Sequence, residues 1–244
     1  MNDSANESPH LHALLIGIDC YLANRLPSGG WYPSLGGCVR DITMVEKYLR
    51  HSLNVPEDHI RRLAATYSGP LPASDPYHNY EPSEPAERWP TYENMVIEFQ
   101  HLAEKAQPGD QVYIHYSGHG GRATTIFPEL NKEAGLDEAL VPTDIGSSEA
   151  RYLRDVELAY LLQKMVDRGL LVTIVLDSCH SGGATRGLGH ALARGIEAID
   201  DSERREERLV ASRNDLVASW HRQMAGASRS LELGSGWLLE PKGY

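Results

Sequence analysis

Apolar residues in this 244-residue chain fall into two alternating kinds of stretch. Residues 11–19, 110–116 and 170–176 are short, nearly continuous runs of aliphatic and β-branched residues. Such runs fit strands covered on both faces, as in a parallel sheet under helices. Residues 59–64 add a shorter strand. Between these runs the apolar residues recur at helical spacing. They are Val39, Ile42, Val45, Tyr48 and Leu49 within 38–51, then Met95, Ile97, Phe99, Leu102 and Ala103 within 91–106. A third set is Val156, Leu158, Ala159, Leu161, Leu162, Met165 and Val166 within 154–168, ended by Gly169. Strand and helix alternate, which predicts an α/β fold with a mainly parallel central sheet flanked by helices.

The polar segments divide the rest. Residues 1–10 read as a disordered tail. Pro70, Pro72, Pro76, Pro82, Pro85 and Pro90 make 66–90 an exposed loop, because no helix or central strand tolerates that density. A long polar loop is expected after Gly121. Residues 184–230 are rich in Arg, Glu, Asp, Ser and Ala with weak apolar spacing, and read as a mobile or partly helical linker.

Two strands end in chemistry. The run 170–176 stops on Asp177-Ser178-Cys179-His180-Ser181-Gly182-Gly183, and the run 110–116 stops on Ser117-Gly118-His119-Gly120-Gly121. Open α/β sheets present reactive groups beyond the carboxyl ends of their strands. Two parallel strands would bring His119 and Cys179 side by side. A free thiol is mostly protonated at neutral pH. An adjacent imidazole raises its thiolate fraction and can later protonate a leaving amine. The glycines let a substrate backbone approach and leave N–H groups to face an oxyanion. The alternative for Cys179 is a small buried hydrophobe. His115 reads as a core or sheet-face residue, and His180 as a neighbour that shapes the loop.

Charge and cysteine count narrow the classes. The net charge of −11 and the absence of a long Lys/Arg block argue against nucleic-acid binding. Three cysteines, Cys20, Cys38 and Cys179, suit a reducing compartment better than a disulfide framework. No Cys/His zinc spacing occurs. With no signal-peptide pattern and no bilayer-length apolar run, a cytoplasmic protein without membrane attachment is expected. Asp137, Glu138 and Asp144 are open to two readings, a calcium site or a solvated acidic loop. Asp41, in the first turn of a helix, suits the helix dipole.

The segments Tyr116-Ser117-Gly118-His119-Gly120 and Asp177-Ser178-Cys179-His180-Ser181-Gly182 resemble the His and Cys motifs of the caspase-like peptidases of clan CD, family C14, in the metacaspase and orthocaspase branch. The resemblance implies that Cys179 is the nucleophile and His119 the base and acid. It also implies that the N–H groups of Gly120 and Cys179 form the oxyanion hole. Asp177, Asp41, Cys38 and Ser117 match the family's S1 pocket, and two carboxylates there would receive a P1 Arg or Lys and repel a P1 Asp. Residues 11–183 would be a large-subunit-like catalytic domain, and 184–244 a linker with the start of an incomplete small-subunit-like portion. The calcium site of several metacaspases relies on an acid shortly after the nucleophile. Residues 182–186 hold none, which argues against calcium dependence.

The expected function is a cysteine endopeptidase cutting after Arg or Lys, with self-processing in the segment carrying Arg204, Arg205, Arg208 and Arg213. A small-subunit fragment of the same precursor is an expected partner. Two alternatives stand beside it: an inactive caspase-like scaffold binding through an open sheet edge, and a thiol hydrolase of small esters or amides.

Overall fold

The computed structural model describes residues 9–130, 135–178, 199–201 and 209–233. The first strand, β1 (Leu11–Ile18), is the most buried. On one of its faces Ala13 and Leu15 pack with Ile42 and Leu49 of α1 (Cys38–His51). On the other, Leu14, Ile16 and Ile18 join Met95, Phe99 and Leu102 of α2 (Tyr92–Lys105) and Leu158, Leu161 and Met165 of α3 (Asp155–Asp167). Helices on both faces explain why the strand is apolar at nearly every position rather than at alternate ones.

β2 (Ile60–Ala65), β3 (Gln111–Ser117) and β7 (Leu171–Asp177) complete a four-stranded, wholly parallel sheet in the order β2-β1-β3-β7. The expected architecture, a mainly parallel sheet flanked by helices, is the one observed. The expectation for the Cys-bearing run was wrong in one respect. Rather than being covered on both faces, β7 is hydrogen-bonded only to β3 among the described residues, and Leu171, Val175 and Leu176 are exposed. α1 packs against β1, β2 and β3 rather than β7.

The loop expected after Gly121 contains a second, antiparallel sheet. It consists of β4 (Gly120–Thr124), β5 (Leu136–Leu140) and β6 (Leu153–Arg154). Its strands are short and Gly-rich at the start, so they carry no alternation to read. Arg154 and Asp137 form a buried ion pair beneath it, at 2.7 Å. Arg154 also donates to the Thr124 carbonyl, and Thr125 Oγ1 donates to Asp137.

The segment read as a linker returns to this body. Asp200 makes a parallel bridge to Ala123 on β4. α4 (Arg213–Leu233) packs on α3, with Leu216 buried against Phe127 and Val156. Arg213 grips Glu129 with two hydrogen bonds, at 2.8 and 2.9 Å. The helix was hard to foresee because its apolar face is carried by few residues.

Candidate active site

The parallel register brings three positions level at the carboxyl edge of the sheet: Gly17, Ser117 and Asp177. Ser117 is fully buried, and its Oγ donates to Asp177 Oδ2 at 3.4 Å. Asp177 itself is exposed. Gly17 admits α1 to this edge. A Cβ at that position would lie 2.9 Å from the Cys38 carbonyl and 2.8 Å from the Ile42 side chain. Cys38 therefore begins α1 directly above the strand end, fully buried, and Asp41 follows on the first turn, half-buried, 3.9 Å from Arg40 Nη2. Of the expected S1 residues, Cys38, Ser117 and Asp177 meet at one edge, and Asp41 stands one helical turn along.

The start of α1 has no side-chain cap of its own. Asp19, just past β1, supplies one from a distance. Its Oδ1 accepts the Cys38 N–H at 2.8 Å, and its Oδ2 accepts that of Val39 at 3.3 Å. This satisfies two of the donors that a helix N-terminus leaves open and places negative charge at the positive end of the dipole.

His119 lies just beyond β3 with no exposed surface. Its Nε2 bonds the Pro33 carbonyl at 2.8 Å. A carbonyl can only accept, so in the neutral ring the proton sits on Nε2 and the lone pair on Nδ1. The backbone is held from both sides. The His119 N–H donates to Tyr21 Oη at 2.7 Å, and Tyr116 Oη donates to the His119 carbonyl at 2.7 Å. The ring packs against both Tyr21, at 4.7 Å, and Tyr32, at 5.4 Å between centroids. Burial pushes Tyr21 and Tyr116 well above the ordinary phenol range, so both remain neutral hydrogen-bonding posts. At Gly118 a Cβ would come within 2.8 Å of Tyr116 Oη and 2.9 Å of Tyr21 Oη. Gly121 faces inward as well, against Tyr32 Oη and Tyr152. Its small size serves that packing rather than the approach of a substrate.

Cys179 and His180 lie outside the described residues. Cys20, a further thiol just past β1, is buried, and burial with the Glu84 charge pushes it up to about 12. Such a thiol stays protonated and inert. His115 is buried on the sheet, beside Tyr113 Oη at 3.1 Å. The three acids weighed for calcium are dispersed. Asp137 is in the ion pair with Arg154, Glu138 points to the exposed face of β5, and Asp144 follows in the next turn, half-buried. Among the described residues no group of three or more His, Cys, Asp or Glu side chains is placed to hold a metal ion. No helix among them is long and apolar enough to cross a membrane.

Sequence reasoning named the motif residues and missed their supports. Asp19 could have been suspected, since β1 also runs from an apolar stretch onto an acid. Nothing in the loop 20–37 marks Pro33 or Tyr32 as neighbours of an imidazole.

The chain is 31% identical over 172 residues to Metacaspase-1B of Aspergillus terreus, which covers 70% of this chain and 38% of the relative. It is 29% identical over 172 residues to Metacaspase-1 of Coccidioides immitis, covering 70% of this chain and 31% of the relative. The chain thus spans about a third of the length of these relatives. In fold it is similar to the crystal structure of protein GSU0716 from Geobacter sulfurreducens. The TM-score is 0.51 and the identity 19%, with 91% of this chain and 66% of that one covered. The description "Metacaspase, peptidase C14 domain" matches residues 12–186, which span β1 through the Cys motif, and on that match the chain belongs to the metacaspase family of caspase-like C14 proteins.

Proposed function

We propose that the chain is the catalytic portion of a cysteine endopeptidase that cuts peptide bonds after Arg or Lys. The observation that carries this reading is the register of β3 and β7. Ser117 and Asp177 are paired, and the sequence places His119 and Cys179 each two residues further on. In the reaction the Cys179 thiol transfers its proton to Nδ1 of His119 and attacks the scissile carbonyl. The N–H groups of Gly120 and Cys179 receive the oxyanion. His119 then protonates the leaving amine, and water activated by the same imidazole releases the acyl group. Specificity follows from Asp177 and Asp41, with Cys38 and Ser117 lining the space between sheet and helix. Two carboxylates pair with a guanidinium or ammonium and repel an acid.

Four further points belong to the reading. Self-processing falls on Arg204, Arg205 or Arg208, which lie outside the described residues. Arg213 is a poor site, because it is held by Glu129 at the head of a helix and a protease needs an extended strand. Calcium is not required, since Arg154 already neutralises Asp137. The enzyme works in the cytoplasm, where its thiols stay reduced. The outer edge of β7, unpaired among the described residues, favours a partner that adds strands there, as a small-subunit fragment would. It equally suits a scaffold that binds without cutting.

Fluorogenic peptides differing only at P1 decide between these. Turnover should be confined to Arg and Lys, persist in a chelator, and vanish in Cys179→Ala. Cleavage after Asp, or full activity in Cys179→Ala, would refute the reading. No turnover at all, together with a stable complex, would favour the scaffold.

A further inference from the structure

Behind His119 a buried hydrogen-bonded chain runs back to the returning segment. Tyr32, whose ring packs on His119, shares a hydrogen bond with Tyr152 at 3.1 Å between hydroxyl oxygens. Tyr152 Oη in turn donates to Asp200 Oδ2 at 2.8 Å. Tyr32, Tyr152 and Asp200 are each no more than 2% exposed. Asp200 is also fixed by its backbone. Its N–H donates to the Arg122 carbonyl at 3.0 Å, and its carbonyl accepts the Thr124 N–H at 3.0 Å.

The hydrogen-bonded chain stops at Tyr32, whose ring lies against the imidazole, 5.4 Å between centroids. Pro33, whose carbonyl accepts from His119 Nε2, directly follows Tyr32, and its ring stiffens the link between them. The main chain of Tyr32 is held on both sides by Asn24. The Tyr32 N–H donates to Asn24 Oδ1 at 2.7 Å, and Asn24 Nδ2 donates to the Tyr32 carbonyl at 3.0 Å. The Pro33 carbonyl thus follows a residue fixed twice, at its main chain by Asn24 and at its side chain by Tyr152, and Tyr152 in turn is tied to Asp200. A buried carboxylate is costly unless it is hydrogen-bonded, and a bond to a charged acceptor in a low-dielectric site is among the stronger ones.

We propose that Asp200, acting through Tyr152 and Tyr32, is a positioning residue for the imidazole of His119. A segment beyond the nucleophile motif thus returns to fix the ring and its Pro33 partner in the orientation the thiol needs. This rests on the reading of His119 and Cys179 as a pair, and the test separates the two claims.

The test measures alkylation of Cys179 by iodoacetamide from pH 5 to 9, followed by peptide mass spectrometry so that Cys20 and Cys38 are counted apart, alongside kcat and KM on a P1-Arg peptide. In the wild type the rate at pH 6 should remain a substantial part of that at pH 9, and His119→Ala should abolish this. Asp200→Ala and Tyr152→Phe should lower the ratio and kcat on the order of tenfold, within the hundredfold that a misplacement of about 1 Å can cost, with KM little changed. Asp200→Asn, which keeps an acceptor for Tyr152, should recover most of both. Tyr32→Phe should cost about as much as Asp200→Ala, and the pair together no more than either alone. A folded Asp200→Ala protein with the wild-type alkylation profile and kcat would overturn the proposal. Should Asp200→Ala fail to fold, Tyr152→Phe, which removes a single oxygen, decides by the same readout. An unchanged profile in His119→Ala would instead refute the imidazole–thiol pair, and the positioning role with it.

Discussion

At the scale of single residues, the site depends on places where a side chain is missing. Gly17 is the clearest. Methyl substitution would press on the Cys38 carbonyl, which is backbone, and on Ile42, which is buried. Neither can move without shifting the start of α1. Gly17→Ala should cost about 1–3 kcal/mol, the usual range for overpacking. It should also raise KM for a P1-Arg peptide more than it lowers kcat, because α1 carries Cys38 and Asp41 while His119 follows β3. Urea unfolding and steady-state kinetics check the two effects. Equal loss in both constants would mean that α1 does not line the specificity pocket. The same residues show what a sequence can and cannot disclose. Ser117, His119 and Asp177 were legible because each closes an apolar run with a polar or reactive group. Asp19, Tyr21, Tyr32 and Pro33 were not, because their roles depend on a loop folding back over the sheet edge. Their contacts with His119 and α1 span large separations in the chain and leave no periodic trace.

At the scale of elements, legibility followed burial and length. β1, β3, α2 and α3 were readable because their apolar pattern spans several turns or a whole strand. β4, β5 and β6 were not, because two to five residues are too few to show a period. β7 shows the opposite error. Its composition is that of a covered strand, yet Leu171, Val175 and Leu176 are exposed and its outer edge is unpaired among the described residues. A sequence records what a strand is built to pack against, whether or not that partner is in place. Backbone amide exchange tests this element directly. Protection should be greatest in β1, which is paired on both sides, and least at the alternate amides of β7 that point away from β3. If those amides exchange as slowly as the ones in β1, another strand already covers the edge, and the proposed pairing with a small-subunit fragment has no vacant position.

At the scale of the whole molecule, the sheet has a chemical end and a structural end, and they answer differently to pH. The site occupies the carboxyl edge. At the opposite edge Asp110 ties the start of β1 to the start of β3. It accepts the N–H of His10 and of Gln107, each at 2.8 Å, and lies 3.3 Å from His12 Nε2. Burial alone would raise the Asp110 carboxyl, but these hydrogen bonds outweigh it and hold it below the usual carboxylate range. His12 is nearly buried and stacked on His59 at 4.3 Å. Burial first, and the His59 and Lys105 charges after it, lower its affinity for a proton despite Asp110 nearby. In the unfolded chain His12 takes up a proton near its ordinary value of 6.5, while in the fold it still resists. The unfolded state therefore binds more protons in that interval, and the stability due to neutral His12 is lost as pH falls below about 6.5. The Asp110 contribution is lost only further down, below the ordinary carboxylate value of 3.8, so the two are separable. Each tenfold difference in proton affinity between fold and unfolded chain is worth about 1.4 kcal/mol. His12→Gln keeps an amide donor for Asp110 and removes the titration. The wild-type urea midpoint should fall between pH 7 and pH 5, and the variant's should fall less. Parallel curves would show that His12 does not set this slope. The comparison also bears on catalysis, because an acid limb in the activity profile can arise from His119 or from loss of the fold. If His12→Gln flattens the stability curve yet leaves the acid limb of kcat in place, that limb does not come from loss of the fold and belongs to the site at the other end of the sheet.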